Sequence, residues 1–145
     1  MNDGELLTLL KELDDPAHAE APPGFDRASA ERRFAALVGE ILLRFGTVGR
    51  CETGIYIQDA SFHGNVSLPF GEGRPSPELM VSNFGDLATV FDPAGILTRQ
   101  SLAQVVAALE DSGYAYVPER LLRLPYTGTS PGGIETWAHR YFDWV

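Results

Sequence analysis

Cysteine, lysine and long apolar runs are the scarce features of this chain. Cys51 is the single cysteine, so no disulfide can form within the chain and the fold must rest on its core. That usage suits a reducing cytoplasm. No unbroken apolar run approaches the ~20 residues needed to cross a bilayer. The N-terminal Met1-Asn2-Asp3-Gly4-Glu5 is acidic and lacks the basic segment and apolar stretch of a signal peptide. Together these absences predict a cytoplasmic protein with no membrane span, in which Asn65-Val66-Ser67 matches the glycosylation sequon by coincidence. Positive charge is scarce as well. Eleven Lys and Arg face 20 Asp and Glu, a formal net charge of −9, and Lys11 is the only lysine. Such a balance repels phosphate backbones and anionic membranes and attracts basic proteins or cations. The expected partner is therefore a basic protein, with neither nucleic acid nor membrane bound.

What is present is a foldable chain. Apolar residues make up 44% and charged residues 21% of 145 residues, which are globular proportions. The length fits one domain and buries roughly two-thirds of the unfolded surface. Leu6, Leu7, Leu9, Leu10 and Leu13 line one side of a short helix, capped by Asn2 or Asp3 and ended by Asp14-Asp15-Pro16. Residues 15–25 hold three prolines and a glycine and read as a linker. The organisation is thus a helical arm over 1–14, a linker over 15–25 and a domain over 26–145. The arm either lies on the main body or serves as a partner-binding segment.

Phe34, Leu37, Val38, Ile41, Leu42 and Phe45 form a continuous helical stripe, with Asp26 or Ser29 to cap it and Gly46 to end it. Its outer face carries Arg27, Arg32, Arg33 and Arg44 beside Glu40. From Gly49 to Asp92 the period becomes two. Ile55 and Ile57 alternate with Tyr56 and Gln58; Phe62, Val66 and Leu68 alternate with His63, Asn65 and Ser67; Leu79 and Val81 share a parity; and 87–91 is β-prone. The short turns between them favour an antiparallel meander. A helix follows from about Thr98, with Leu102, Val105, Val106 and Leu109 buried and Ser112-Gly113 at its end. Residues 114–117 then read as a short strand limited by Pro118. Residues 119–124 fit an edge strand or a helical turn. In the aromatic tail, Trp137 with Tyr141 and Ala138 with Phe142 stand at helical i, i+4 spacing, although alternation also allows a strand.

The motifs are weak. Gly128-Thr129-Ser130-Pro131-Gly132 matches the G-x-S-x-G elbow, but its oxyanion hole needs the N–H of the residue after serine, and Pro131 has none. His139 and Asp143 also follow in the wrong order, so the stretch reads as a loop. Asp59, Ser61 and His63 alternate around a turn and could share a sheet face able to do acid–base or nucleophilic work. A solvated face looks the same, since Asn65 and Ser67 continue it. No C-x-x-C, H-x-x-x-H or calcium-loop pattern occurs, and His18, His63 and His139 are scattered, so neither a metal nor a cofactor is expected. Gly71-Glu72-Gly73 is too short for a dinucleotide fingerprint. Cys51, beside Arg50, reads as structural. Trp137, Tyr141 and Trp144 belong to the core or a lid on it, or, if exposed beside Arg140, to an interface hot spot.

Three stretches together carry a resemblance: residues 57–63 (IQDASFH), residues 81–90 (VSNFGDLATV) and residues 140–144 (RYFDW). They resemble a group of small actinobacterial proteins over most of residues 25–145, a likeness that brings no catalytic residue with it. More loosely, an acidic α+β protein of this size is similar in kind to immunity proteins of bacterial toxin systems. The expected fold is one α+β domain, an antiparallel β-sheet of four to six strands with helices packed on one face. The other face would carry Tyr56, Gln58, Ser61, His63, Asn65 and Ser67. The expected function is non-catalytic protein binding, such as neutralising a basic toxin, with Tyr56, Asp59, Ser61, His63, Trp137, Tyr141 and Trp144 as candidate binding residues. The alternative is a small-molecule-binding protein or enzyme using the polar face around Asp59, Ser61 and His63.

Overall fold

The computed structural model describes residues 1–17, 23–53, 64–70, 75–82 and 84–142, with Glu52 and Thr53 described for the backbone alone. Helix α1 (Asp3–Leu13) starts where the Asn2 side chain accepts from the Glu5 N–H at 2.8 Å and donates to the Glu5 carboxylate at 2.9 Å. The first bond satisfies a backbone donor that a helix start otherwise leaves orphaned, and the second ties the two side chains together. Helix α2 (Arg27–Phe45) is capped by Asp26. Its end at Gly46 requires a left-handed backbone, φ 76°, which lets the Gly46 N–H reach Leu42 O at 2.8 Å.

Four strands follow one another as antiparallel neighbours: β1 (Cys51–Thr53), β2 (Gly64–Ser67), β3 (Glu78–Val81) and β4 (Leu87–Phe91). Helix α3 (Arg99–Asp111), capped by Thr98, then carries the chain back across the sheet. The two-residue β5 (Ala115–Tyr116) therefore joins β4 in parallel, Leu87 opposite Ala115. The sheet is mixed, a correction to the wholly antiparallel expectation. The physical reason is the crossover helix, which returns the chain to the same sheet end, whereas a tight turn reverses it. Residues 119–124 resolve as a helical turn, α4 (Glu119–Leu122), and the tail forms α5 (Trp137–Phe142). The strand residues expected at Ile55, Ile57 and Phe62 lie outside the described residues.

The parity of the strands divides the core in two. Val66, Leu79, Val81, Ala88 and Val90 face α2 and α3, meeting Leu37, Ile41, Val105 and Leu109. The opposite parity, Met80 and Leu87, faces α1, α4 and α5, meeting Leu6, Leu10, Leu121, Leu122, Trp137 and Tyr141. Helices thus cover both faces of the sheet. This corrects the one-face expectation, because the leucines at the N-terminus and the aromatics at the C-terminus supply an apolar layer for the face read as polar. Of that face, Asn65 is buried rather than solvated, and Thr89 is buried with its hydroxyl donating to Val117 O at 2.7 Å. A buried polar side chain is tolerated when it finds such a partner.

Leu10 is fully buried at the centre of the second core. Leu10→Ala is therefore expected to lower unfolding stability by about 3 kcal/mol, the same loss expected for Leu37→Ala in the first core. Urea titration measures it; a loss within about 0.5 kcal/mol, the surface-substitution range, would show α1 to be a free arm.

Candidate functional site

The charged cluster with the most convergent geometry is one the sequence did not join. Asp14, just past α1, and Arg140, in α5, stand 126 positions apart and pair at 2.8 Å through Nε, each side chain only 2% exposed. The Asp14 carboxylate also accepts from Ser130 Oγ at 2.6 Å, from the Thr129 N–H at 2.9 Å and from the Tyr126 hydroxyl. Arg140 lies over the rings of Phe84 and Tyr141, at 4.6 and 4.9 Å from their centroids. Burial alone raises the Asp14 carboxyl. The hydrogen bonds from Ser130, Tyr126, Arg140 and the Thr129 N–H outweigh it and hold it down at about 2. Only glycine fits at 128, because a Cβ there would run into the Asp14 carboxylate and the Tyr126 ring.

This arrangement settles the Gly128–Gly132 motif. The Ser130 hydroxyl is spent on Asp14 and its N–H on the Tyr126 hydroxyl at 2.8 Å. No histidine bonds to Ser130 among the described residues. His139 instead accepts the Glu135 N–H at its Nδ1, 3.3 Å away. The loop is a structural clasp rather than a nucleophile elbow.

Of the candidate binding residues, Tyr56, Asp59, Ser61, His63 and Trp144 lie outside the described residues. Trp137 and Tyr141 are core side chains, 1% and 3% exposed, stacked on one another with centroids 6.1 Å apart. The Tyr141 hydroxyl donates to Leu10 O at 2.7 Å. Neither presents a surface to a partner; they dock α1.

A cavity of about 630 Å³ opens on the face of the sheet that also carries Asn65. Met80, Phe91 and Phe142 give it an apolar lining, and Glu78, Glu135 and His139 bring polar groups to it. The Glu78 carboxylate accepts from Asn65 Nδ2 at 3.2 Å. Thr136 Oγ1 accepts from the His139 N–H at 3.1 Å, starting α5 and fixing the turn that holds Glu135. The cavity exists because α5 covers only part of the sheet. It is six residues long and anchored at the far end of β3, where Ser82 Oγ donates to Tyr141 O at 2.9 Å. Among the described residues, the Glu78 end stays uncovered. A smaller cavity of about 230 Å³ holds the Arg33–Asp86 ion pair, with Arg33 5.8 Å above the Tyr114 ring.

Sequence reasoning missed Glu78, Glu135 and His139 as a group. The i, i+4 spacing of Glu135 and His139 was visible, but nothing along the chain ties them to β3. No group of three or more His, Cys, Asp or Glu able to hold a metal occurs among the described residues, and no described helix is long and apolar enough to cross a membrane. The chain matches no protein-family model, and neither a curated protein nor a solved structure is significantly similar to it.

Asp14→Asn is expected to cost about 3 kcal/mol at pH 7, because it takes the Asp14 charge away from a buried ion pair. The pH dependence has a definite sign. The folded-state value, about 2, lies below the ordinary 3.8, so the stabilisation is complete above that value and is lost as pH falls toward 2. Urea midpoints compared between neutral and acidic pH check both statements; a variant with an unchanged acid limb would contradict them.

Proposed function

We propose that this protein is a non-catalytic binding protein whose partner is a basic protein, most concretely a bacterial toxin that it neutralises. The observation that supports this reading is the disposition of charge. The described arginines are largely committed inside the molecule: Arg33 to Asp86, Arg44 to Asp111, Arg120 to Asp3 at 2.6 Å, Arg123 to Glu119 and Arg140 to Asp14. Glu12, Glu110 and Glu135 form no ion pair among the described residues. These three side chains are exposed, so each presents a carboxylate to solvent. Carboxylates so placed steer a cationic partner during encounter and fix its register.

A second reading, a protein that binds a small molecule, is favoured by the cavity between β3, β4 and α5. Its volume of about 630 Å³ lies in the range of ligand pockets, ~300–1,000 Å³.

Immobilised protein offered a cell lysate at low ionic strength is expected to retain a discrete basic polypeptide that raised salt releases. With the purified pair, the association rate is expected to fall steeply as salt rises while dissociation changes little. Retention of nothing basic would remove the protein-binding reading.

A further inference from the structure

We propose that the cavity bounded by the Glu78 end of β3, the Phe91 end of β4 and α5 binds a small organic cation: an ammonium or guanidinium group on an aromatic or branched aliphatic body. The proposal rests on the small-molecule reading above and names the ligand class for it.

The body of the ligand follows from the lining. Met80 is buried to 2% exposure and Phe142 to 3%, and Phe91 meets Phe142 edge-on at 6.5 Å and 84°. Such a surface gains by removing apolar area from water, and its rings also favour a cation above their faces. The head group follows from the charges. Two lining side chains, Glu78 and Glu135, are carboxylates, and no lysine or arginine lines the cavity among the described residues. An anion would meet like charge there, with no described lysine or arginine to offset it. A wholly apolar ligand would cover carboxylates without pairing them, which is costly.

The polar partners of these groups are compatible with a cation. Asn65 donates to one oxygen of Glu78 and so orients the carboxylate, which has further acceptor sites on both oxygens. His139 accepts at Nδ1 from the Glu135 N–H, which ties its ring to the Glu135 backbone. The same hydrogen bond and the Thr136 cap hold the Glu135 backbone on the wall formed by α5. Glu78 is fixed by the strand ladder, opposite Ser67 on one side and Phe91 on the other. Glu78 thus stands on β3 and Glu135 on the turn just before α5, with the apolar lining also contributed by β3, β4 and α5.

The test uses the full chain and three probes with one body: 4-phenylbutylamine, 4-phenylbutyrate and 4-phenylbutanol. Calorimetric titration is expected to detect the amine, with the carboxylate weaker by about tenfold or more. Amide shifts in NMR spectra are expected at Glu78, Met80, Phe91 and Ala138. Glu78→Gln and Glu135→Gln should each weaken the amine several-fold and leave the alcohol unchanged. Ala138→Leu, which fills the cavity from α5, should block every probe, and a near-native melting temperature for each variant shows that it has folded. Equal binding of amine, alcohol and carboxylate, blocked by Ala138→Leu, would overturn the cationic class while the small-molecule reading survives. Binding of no probe, or binding indifferent to Ala138→Leu, would overturn both.

Discussion

The contact on which the rest of the molecule depends joins its two ends. Asp14 and Arg140 are both out of water, and an isolated charge there would cost several kcal/mol. Neither is isolated. The carboxylate receives Arg140, Ser130, Tyr126 and the Thr129 N–H, and the guanidinium lies against the faces of two aromatic rings. Such a pair tolerates little rearrangement, because losing any one partner leaves a buried charge short of compensation. It fixes the end of α1, the loop after Tyr126 and α5 as one layer. That layer covers the second face of the sheet, and the place where it stops is the mouth of the larger cavity.

The same arrangement decides where the charge goes. The acidic N-terminal helix and the basic face of α2 would have made a plausible internal pair. Instead Asp3 and Asp14 meet Arg120 and Arg140 from the C-terminal half, while the α2 arginines find Asp86 and Asp111. Each arginine spent this way leaves the acidic surplus less screened from within. Most of these pairs are exposed, and their worth lies in placing charge more than in stability. The buried Asp14–Arg140 pair is the exception, because its partners are desolvated with it.

Much of the fold was legible because it follows from local rules. The stripe from Phe34 to Phe45, its Asp26 cap and its Gly46 terminus are set by residues within a few positions of one another. The same holds for α1 with its Asn2 cap, for α3 with its Thr98 cap and for the shared parity of Leu79 and Val81. Two layers of apolar side chains were also visible, since leucines at the N-terminus and aromatics at the C-terminus need something to cover. What could not be read was that they cover the same thing. Asn65 and Ser67 alternate as a solvated face does, and period two cannot distinguish water from a helix that arrives from elsewhere in the chain.

Sequence by itself therefore determined α1, α2 and α3, the parity of Leu79 and Val81 and the excess of negative charge, because each depends on neighbours in the chain. Only the tertiary structure decided the rest: the parallel edge made by β5, the helices on both faces, the burial of Trp137 and Tyr141, and the meeting of Glu78 with Glu135 and His139 around one cavity. The physical reason is distance along the chain. Asp14 and Arg140 carry no mutual signal across 126 positions, and their pairing exists only once a folded interior makes a lone charge intolerable.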